Sequence, residues 1–147
     1  MDFRSPDRDA VLNHAEEAFG DQPEYLWMKF PRDAVLRHRD NAKWYALVLE
    51  VPRCKVGLEG EGMVDILDVK CDPILIGSLL HERGFRPAYM NKANWITILL
   101  DGSLPEDQVF DLLHLSFELT RKNASPAGGP EIPAFSRKSG FFCHRIL

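Results

Sequence analysis

Residues 95–100 form an almost uninterrupted apolar stretch in which every residue is apolar or β-branched. A strand of this composition is buried on both faces, so we predict a central strand here. Asp101 and Gly102 end it, and Ser103 with Glu106 three residues later predicts a capping box for the next helix. The polar turn at residues 91–94 lies directly before this strand.

Alternating apolar and polar positions predict further strands at residues 34–38, 43–51 and 63–70, with a short extended piece at residues 87–90. Side chains alternate between the two faces of a strand. In the second strand we therefore expect one face to carry Tyr45, Leu47, Leu49 and Val51, and the other to carry Trp44, Ala46, Val48 and Glu50.

Apolar residues at helical spacing predict three helices. The first begins at Ser5-Pro6-Asp7 and ends at Gly20, the second begins at Asp72-Pro73 and ends at Gly84, and the third ends near residues 121–123. His14 and His114 fall on or beside apolar helix faces, so we expect core histidines there.

The predicted order is helix, three strands, helix, two strands, helix. Short connections between the first three strands indicate antiparallel pairing. The fold class is therefore α+β, with two layers: an antiparallel sheet and helices packed largely on one of its faces.

The length of 147 residues fits one domain, which we place at residues 1–123. From residue 124 a Pro/Gly-rich linker begins, and the tail becomes apolar again at Phe141, Phe142, Ile146 and Leu147. The net charge of −4 argues against a surface that binds nucleic acid everywhere, but it allows a local basic patch.

No apolar run reaches the ~20 residues of a membrane helix, and the charged N-terminus does not have the pattern of a signal peptide. The three cysteines form no CxxC pair, which is typical of thiols in a reducing compartment. We therefore expect a cytoplasmic protein without a membrane partner.

No carboxylate pair, nucleophile motif or Gly-rich phosphate loop stands out in the sequence, so we expect no catalytic residues and no enzyme. Cys143-His144 lacks partners at metal-site spacing, and we expect neither a metal nor a cofactor. Cys71 precedes a helix N-terminus, where the pKa of a thiol can fall, but a buried small apolar residue is the stronger interpretation.

Four segments carry a recognisable pattern: residues 37–47 (RHRDNAKWYAL), 69–73 (VKCDP), 87–95 (PAYMNKANW) and 100–105 (LDGSLP). In residue types and spacing, these segments resemble the MmcQ/YjbR family. The resemblance implies a CyaY-like or secretion-chaperone-like α+β fold, and a DNA-binding role with a "double-wing" interpretation of that fold. It implies no catalytic residues. At Asn94 this chain departs from the histidine that is frequent in the family.

The function that we predict is a non-enzymatic binding protein that contacts DNA weakly through a basic first hairpin and the Asn91–Trp95 turn. Two alternatives stay open: Asn91 and Lys92 as ordinary turn residues, and Trp95 or Trp44 as stacking residues rather than core. A different function is a protein-interaction module of the secretion-chaperone kind that uses the sheet face or the apolar tail. The candidate nucleic-acid-binding residues are Arg37, Arg39, Lys43, Arg86, Asn91 and Lys92.

Overall fold

The computed structural model describes residues 5–88 and 91–121. The elements are α1 (Arg8–Phe19), β1 (Ala34–Arg37), β2 (Trp44–Pro52), a 3-10 helix (Arg53–Val56), β3 (Met63–Lys70), α2 (Pro73–Leu79), β4 (Phe85–Pro87), β5 (Trp95–Leu99) and α3 (Glu106–Leu119). Within the described ranges, the five strands form one antiparallel sheet in the order β1-β2-β3-β5-β4, which confirms the α+β class and the predicted order of elements. The predicted domain boundary and tail lie outside the described residues.

The sheet is buried on both faces, because helices cover one and irregular segments cover the other. On the helix face, Leu67 and Ile96 pack with Val109 of α3 in the larger apolar cluster. On the opposite face, a second cluster around Trp95 is covered in part by Trp27 and other residues outside the strands. All five residues of β5 are buried, so the prediction of a central strand is confirmed.

A β-bulge near the start of β2 makes the predicted alternation of its side chains wrong. Leu36 pairs with Ala46 but Arg37 pairs with Trp44, so Tyr45 is an extra residue in β2. Tyr45 therefore lies in the helix-face cluster beside Ala46, and Trp44 lies in the opposite cluster. Strict alternation holds only beyond the bulge.

The predicted capping box of α3 is also wrong. Ser103 donates its hydroxyl to the carboxylate of Asp101 at 2.6 Å, so this side chain does not reach the helix. The helix begins at Glu106 after Pro105, which has no side-chain cap. The hydroxyl of Ser103 bonds to Asp101, two residues earlier in the local turn, and is therefore not available to cap the helix.

The other helix ends differ from the prediction by a few residues. Asp7 caps α1 by accepting from the backbone N–H of Ala10, so Pro6 lies outside the helix. Asp72 caps α2 as predicted, but that helix ends at Leu79, before Gly84. No helix in the described part of the chain has the length and apolar character that a bilayer span requires.

Three candidate residues from the sequence have clear positions. Cys71 is buried, and burial raises the pKa of its thiol, so the interpretation as a small core residue is confirmed. His14 is only half-buried and His114 is exposed, so the expectation of core histidines is wrong for this pair. Their rings instead meet at the outer surface between α1 and α3.

Candidate nucleic-acid interface

The β1–β2 hairpin carries basic residues as predicted, but acidic partners neutralise two of them. Arg37 makes a bidentate ion pair with Glu24, at 2.7 and 2.8 Å. Arg39 lies 3.4 Å from the buried carboxylate of Asp21. Because each positive charge is balanced locally, the hairpin alone attracts a phosphate only weakly.

A small cleft beside the hairpin also has mixed charge. It encloses about 250 Å³ and is lined by Arg39 together with Asp21, Asp40 and His38, between the rings of Phe19 and Phe117. Burial lowers the pKa of His38, so this ring tends to stay neutral. Two carboxylates against one guanidinium make a poor site for an anion.

The turn at residues 91–94 is built by the backbone of Asn91. This residue has a φ of 54°, in the left-handed region that asparagine tolerates. Its carbonyl oxygen accepts from the backbone N–H groups of Asn94 and Trp95, both at 2.9 Å. Asn91 therefore shapes the turn, and the exposed side chain of Lys92 stands beside it.

Three cations line a cleft of about 410 Å³ along the β4 edge of the sheet, which we call the cationic cleft. Three separate segments meet in it: the 3-10 helix with Gly57, the end of β4, and the 91–94 turn. Each contributes one cation. Its lining residues are Lys55, Val56, Gly57, Arg86, Pro87, Ala88 and Lys92.

Arg86 is fixed in the wall of the cationic cleft by two backbone carbonyl groups. Its Nε donates to the carbonyl oxygen of Val56 at 2.7 Å, and its Nη1 donates to the carbonyl of Phe85 at 2.9 Å. These contacts hold the guanidinium without cancelling its charge, because neither acceptor is a carboxylate. An anion that enters the cleft meets a cation that has already lost side-chain entropy.

The hairpin and the 91–94 turn project from the same end of the sheet. β2 and β5 run parallel to each other on either side of β3, so both begin at this end. Two strand spacings, or about 10 Å, separate them. Lys70 at the end of β3 pairs with Trp95 and lies between the two.

Of the six predicted residues, the structure therefore brings Arg86, Asn91 and Lys92 together, while Arg37, Arg39 and Lys43 belong to the hairpin across β3. Two further lysines were not among the predicted residues: Lys55 lines the cationic cleft, and Lys70 lies between the cleft and the hairpin. The only signal for Lys70 was its place at the junction with Cys71. Lys55 carried none, because it is 31 residues from Arg86 along the chain.

The two tryptophans proposed for stacking both belong to the core. Trp95 is 1% exposed and Trp44 is 8% exposed, and each packs in the cluster opposite the helices. The indole of Trp44 makes an edge contact with Trp27 at a centroid distance of 6.0 Å. In the folded domain neither ring offers a face to a base.

The structure also exposes apolar side chains in the connector between α1 and β1. Met28 is 96% exposed, Tyr25 is 54% exposed and Leu26 is 46% exposed. Their neighbours Trp27 and Phe30 pack inward against the sheet. The connector is therefore anchored while part of its apolar surface faces the solvent.

The described side chains that line the cationic cleft include no carboxylate, imidazole or thiol. Across residues 5–88 and 91–121 there is no group of three or more His, Cys, Asp or Glu side chains that could hold a metal ion. The cleft itself is lined by cations and apolar groups, which can bind and orient an anion.

Fold and site together define a class: a small α+β protein whose five-strand sheet carries three helices on one face and a cationic cleft at one edge. A family model described as YjbR matches residues 17–119, and the chain belongs to the YjbR family. The resemblance found in the sequence is therefore confirmed.

Relatives and solved structures agree with this assignment. The uncharacterized protein YyaQ of Bacillus subtilis is 40% identical over 115 residues, which cover 78% of this chain and 98% of YyaQ. A crystal structure of a Pseudomonas syringae protein is 44% identical with a TM-score of 0.77, and it covers 79% of this chain and 100% of its own. A Deinococcus radiodurans crystal structure described by the domain DUF419 is 22% identical with a TM-score of 0.60, covering 86% of this chain and 88% of its own, which supports the fold alone.

Proposed function

We propose that this protein is a non-enzymatic binding protein that contacts DNA weakly, without sequence preference, through the cationic cleft and the adjoining 91–94 turn. The observation that carries the proposal is the meeting of Lys55, Arg86 and Lys92, from three segments, around one cleft whose lining contains no carboxylate. Such a site suits phosphate oxygens, because they accept hydrogen bonds from lysine ammonium groups and from arginine guanidinium groups.

The mechanism is mainly electrostatic. Each phosphate that a lysine or arginine neutralises releases counterions, so affinity falls steeply as salt rises. Since the chain has a net charge of −4, attraction must come from the local patch and not from the whole protein. We expect dissociation constants on the order of 10⁻⁴–10⁻⁶ M at physiological salt, as for non-specific contacts.

The residues have different roles in this proposal. Lys92 reaches the DNA directly, because it is exposed beside the turn. Arg86 forms the fixed wall, and Asn91 positions Lys92 through the turn. Arg37 and Arg39 add little unless their ion pairs with Glu24 and Asp21 break on binding. Lys43 lies on the same end of the sheet and can contact a neighbouring phosphate.

A fluorescence anisotropy titration with a labelled duplex of about 20 base pairs, at two salt concentrations, tests the proposal. Lys92→Ala should weaken binding and reduce the slope of log K against log salt by about 1, whatever the DNA sequence. The matched control is Lys29→Ala, which removes another exposed lysine outside the cleft and should change neither quantity. Failure to detect binding at low salt, or equal losses in the two variants, would overturn the proposal.

The exposed connector residues favour a second candidate, a protein-interaction module of the secretion-chaperone kind. Apolar side chains that stay at the surface of an anchored segment are typical of a protein-binding surface. Cross-linking in cells should capture a partner with the wild type and with Ile74→Asp, which alters an exposed apolar residue elsewhere. Met28→Asp should lose that partner, and retention of it would exclude the connector as the contact.

A further inference from the structure

We infer that His14 and His114 form a surface site for a divalent transition-metal ion, such as Zn²⁺, Ni²⁺ or Cu²⁺, that joins α1 to α3. The Nε2 atoms of the two rings lie 2.8 Å apart, although the residues are a hundred positions apart in the chain. Imidazole nitrogen is a preferred ligand for all three ions. The site lies on the helix side of the sheet, so it is independent of the proposed DNA contact.

The two rings are close to the geometry that a shared metal requires. Two nitrogens at about 2.0–2.1 Å from one tetrahedral ion lie about 3.3 Å from each other. A separation of 2.8 Å is therefore only about half an ångström short of the spacing that two metal-bound imidazole nitrogens have.

Aromatic neighbours hold both imidazoles in place. The ring of Phe110 stacks on His14, with a centroid distance of 4.0 Å and an interplanar angle of 9°. The ring of Phe19 meets His114 edge-on at 4.8 Å. Because the rings are already ordered, binding an ion costs less side-chain entropy than it does at two mobile surface histidines.

Two carboxylates near the histidine pair can attract a cation. The carboxylates of Glu17 on α1 and Glu106 at the start of α3 both act electrostatically on His14. Two imidazoles leave the remaining coordination positions to water, because no third His, Cys, Asp or Glu ligand completes the cluster among the described residues. His114 is exposed, so an ion can enter directly from solvent.

The test titrates Ni²⁺ and Zn²⁺ into the full chain after chelator treatment and dialysis, at about pH 7.5 where imidazoles are mainly neutral. Calorimetry gives the affinity, and paramagnetic Ni²⁺ identifies the site by broadening nearby amide signals in NMR spectra. We expect broadening centred on residues 14 and 114 in the wild type. A saturating concentration of Zn²⁺ should also raise the melting temperature by about 4 °C or more.

Three variants make the assignment specific. His14→Gln and His114→Gln each remove one ligand but keep a polar side chain of similar size, and each should weaken binding at least about tenfold. His81→Gln, which removes an exposed histidine outside the pair, should bind as the wild type does. Unchanged affinity in both pair variants, or broadening centred on Cys54 or on the chain beyond residue 121, would overturn the inference.

Discussion

Ser116 shows how one buried polar residue connects the sheet to a helix. The pairing of β2 with β3 ends at Ala46 and Val69, which leaves the carbonyl of Tyr45 and the N–H of Lys70 beyond the ladder. The hydroxyl of Ser116 donates to the carbonyl oxygen of Tyr45 at 2.5 Å and accepts from the backbone N–H of Lys70 at 2.9 Å. A residue that the sequence places on an apolar helix face is therefore the partner of two backbone groups.

A substitution at Ser116 tests how much these two hydrogen bonds stabilise the domain. Ser116→Ala should destabilise the domain by about 1–3 kcal/mol, because two backbone groups of the sheet, one buried and one partly buried, lose this partner. Urea unfolding followed by circular dichroism measures the change. Ser103→Ala is the matched control, since that hydroxyl bonds only in an exposed turn, and it should cost much less. Equal costs for the two variants would contradict the role given to Ser116.

At the scale of elements, the end of α3 is joined to the β1–β2 hairpin through His38. Its Nε2 lies 2.8 Å from the hydroxyl of Thr120, and the side-chain amide of Asn41 donates to the carbonyl of Thr120 at 3.0 Å. The ring of Phe117 packs against His38 at 4.3 Å. The hairpin and the helix therefore share one buried contact.

This contact should make stability depend on pH. Burial lowers the pKa of His38 below the ordinary value of 6.5, although Asp40 and Asp21 oppose the shift and Arg121 adds to it. Between the lowered pKa and 6.5 the unfolded chain binds more protons than the folded one, so stability rises with pH there. The contribution of His38 to stability should be fully present above about pH 6.5 and should decrease as the pH falls below that value.

Urea unfolding at about pH 7.5 and about pH 5.5 checks the expectation. The His38→Gln variant keeps a polar partner for Thr120 but cannot titrate, so its loss of stability at low pH should be smaller than that of the wild type. Part of the loss should remain, because burial and His114 also lower the pKa of His14. A pH dependence of His38→Gln equal to that of the wild type would contradict the prediction.

At the scale of the whole molecule, local pattern predicted the fold well because most elements follow their own sequence. β3 was predicted at its observed bounds, and β5 differs by one residue. The bulge at Tyr45 was not predictable in this way, because it depends on the pairing with β1 and on Ser116 of α3. Hydrophobic alternation describes a strand and contains no information about its partners.

The candidate sites were predicted less well, for the same reason. Lys92 was predicted from its place before the central strand and Arg86 from its place after α2, but Lys55 joins them only when the 3-10 helix packs beside β4. His14 and His114 were each assigned to the core from their own helix, and only the packing of α1 on α3 shows that they meet. Contacts between distant segments are what a local pattern leaves out.

We expect residues 1–123 to be sufficient for folding. The Pro/Gly-rich stretch that begins at residue 124 marks a change in composition, and among the described residues the hydrogen bonds of Thr120 close the end of α3. A protein truncated after Asn123 should therefore fold, with a melting temperature within a few degrees of the full chain. The competing hypothesis is that the apolar residues of the tail cover a surface such as that of Tyr25 and Met28.

Hydrogen exchange on the full and truncated chains distinguishes the two hypotheses. If residues 1–123 are sufficient, amides in the five strands and three helices should exchange at the same rates in both proteins. If the tail is structural, truncation should speed exchange in the sheet or the helices and lower the melting temperature. Faster exchange confined to the connector around Met28 would indicate a tail that covers this apolar segment without supporting the core, because the clusters on both faces of the sheet would stay protected.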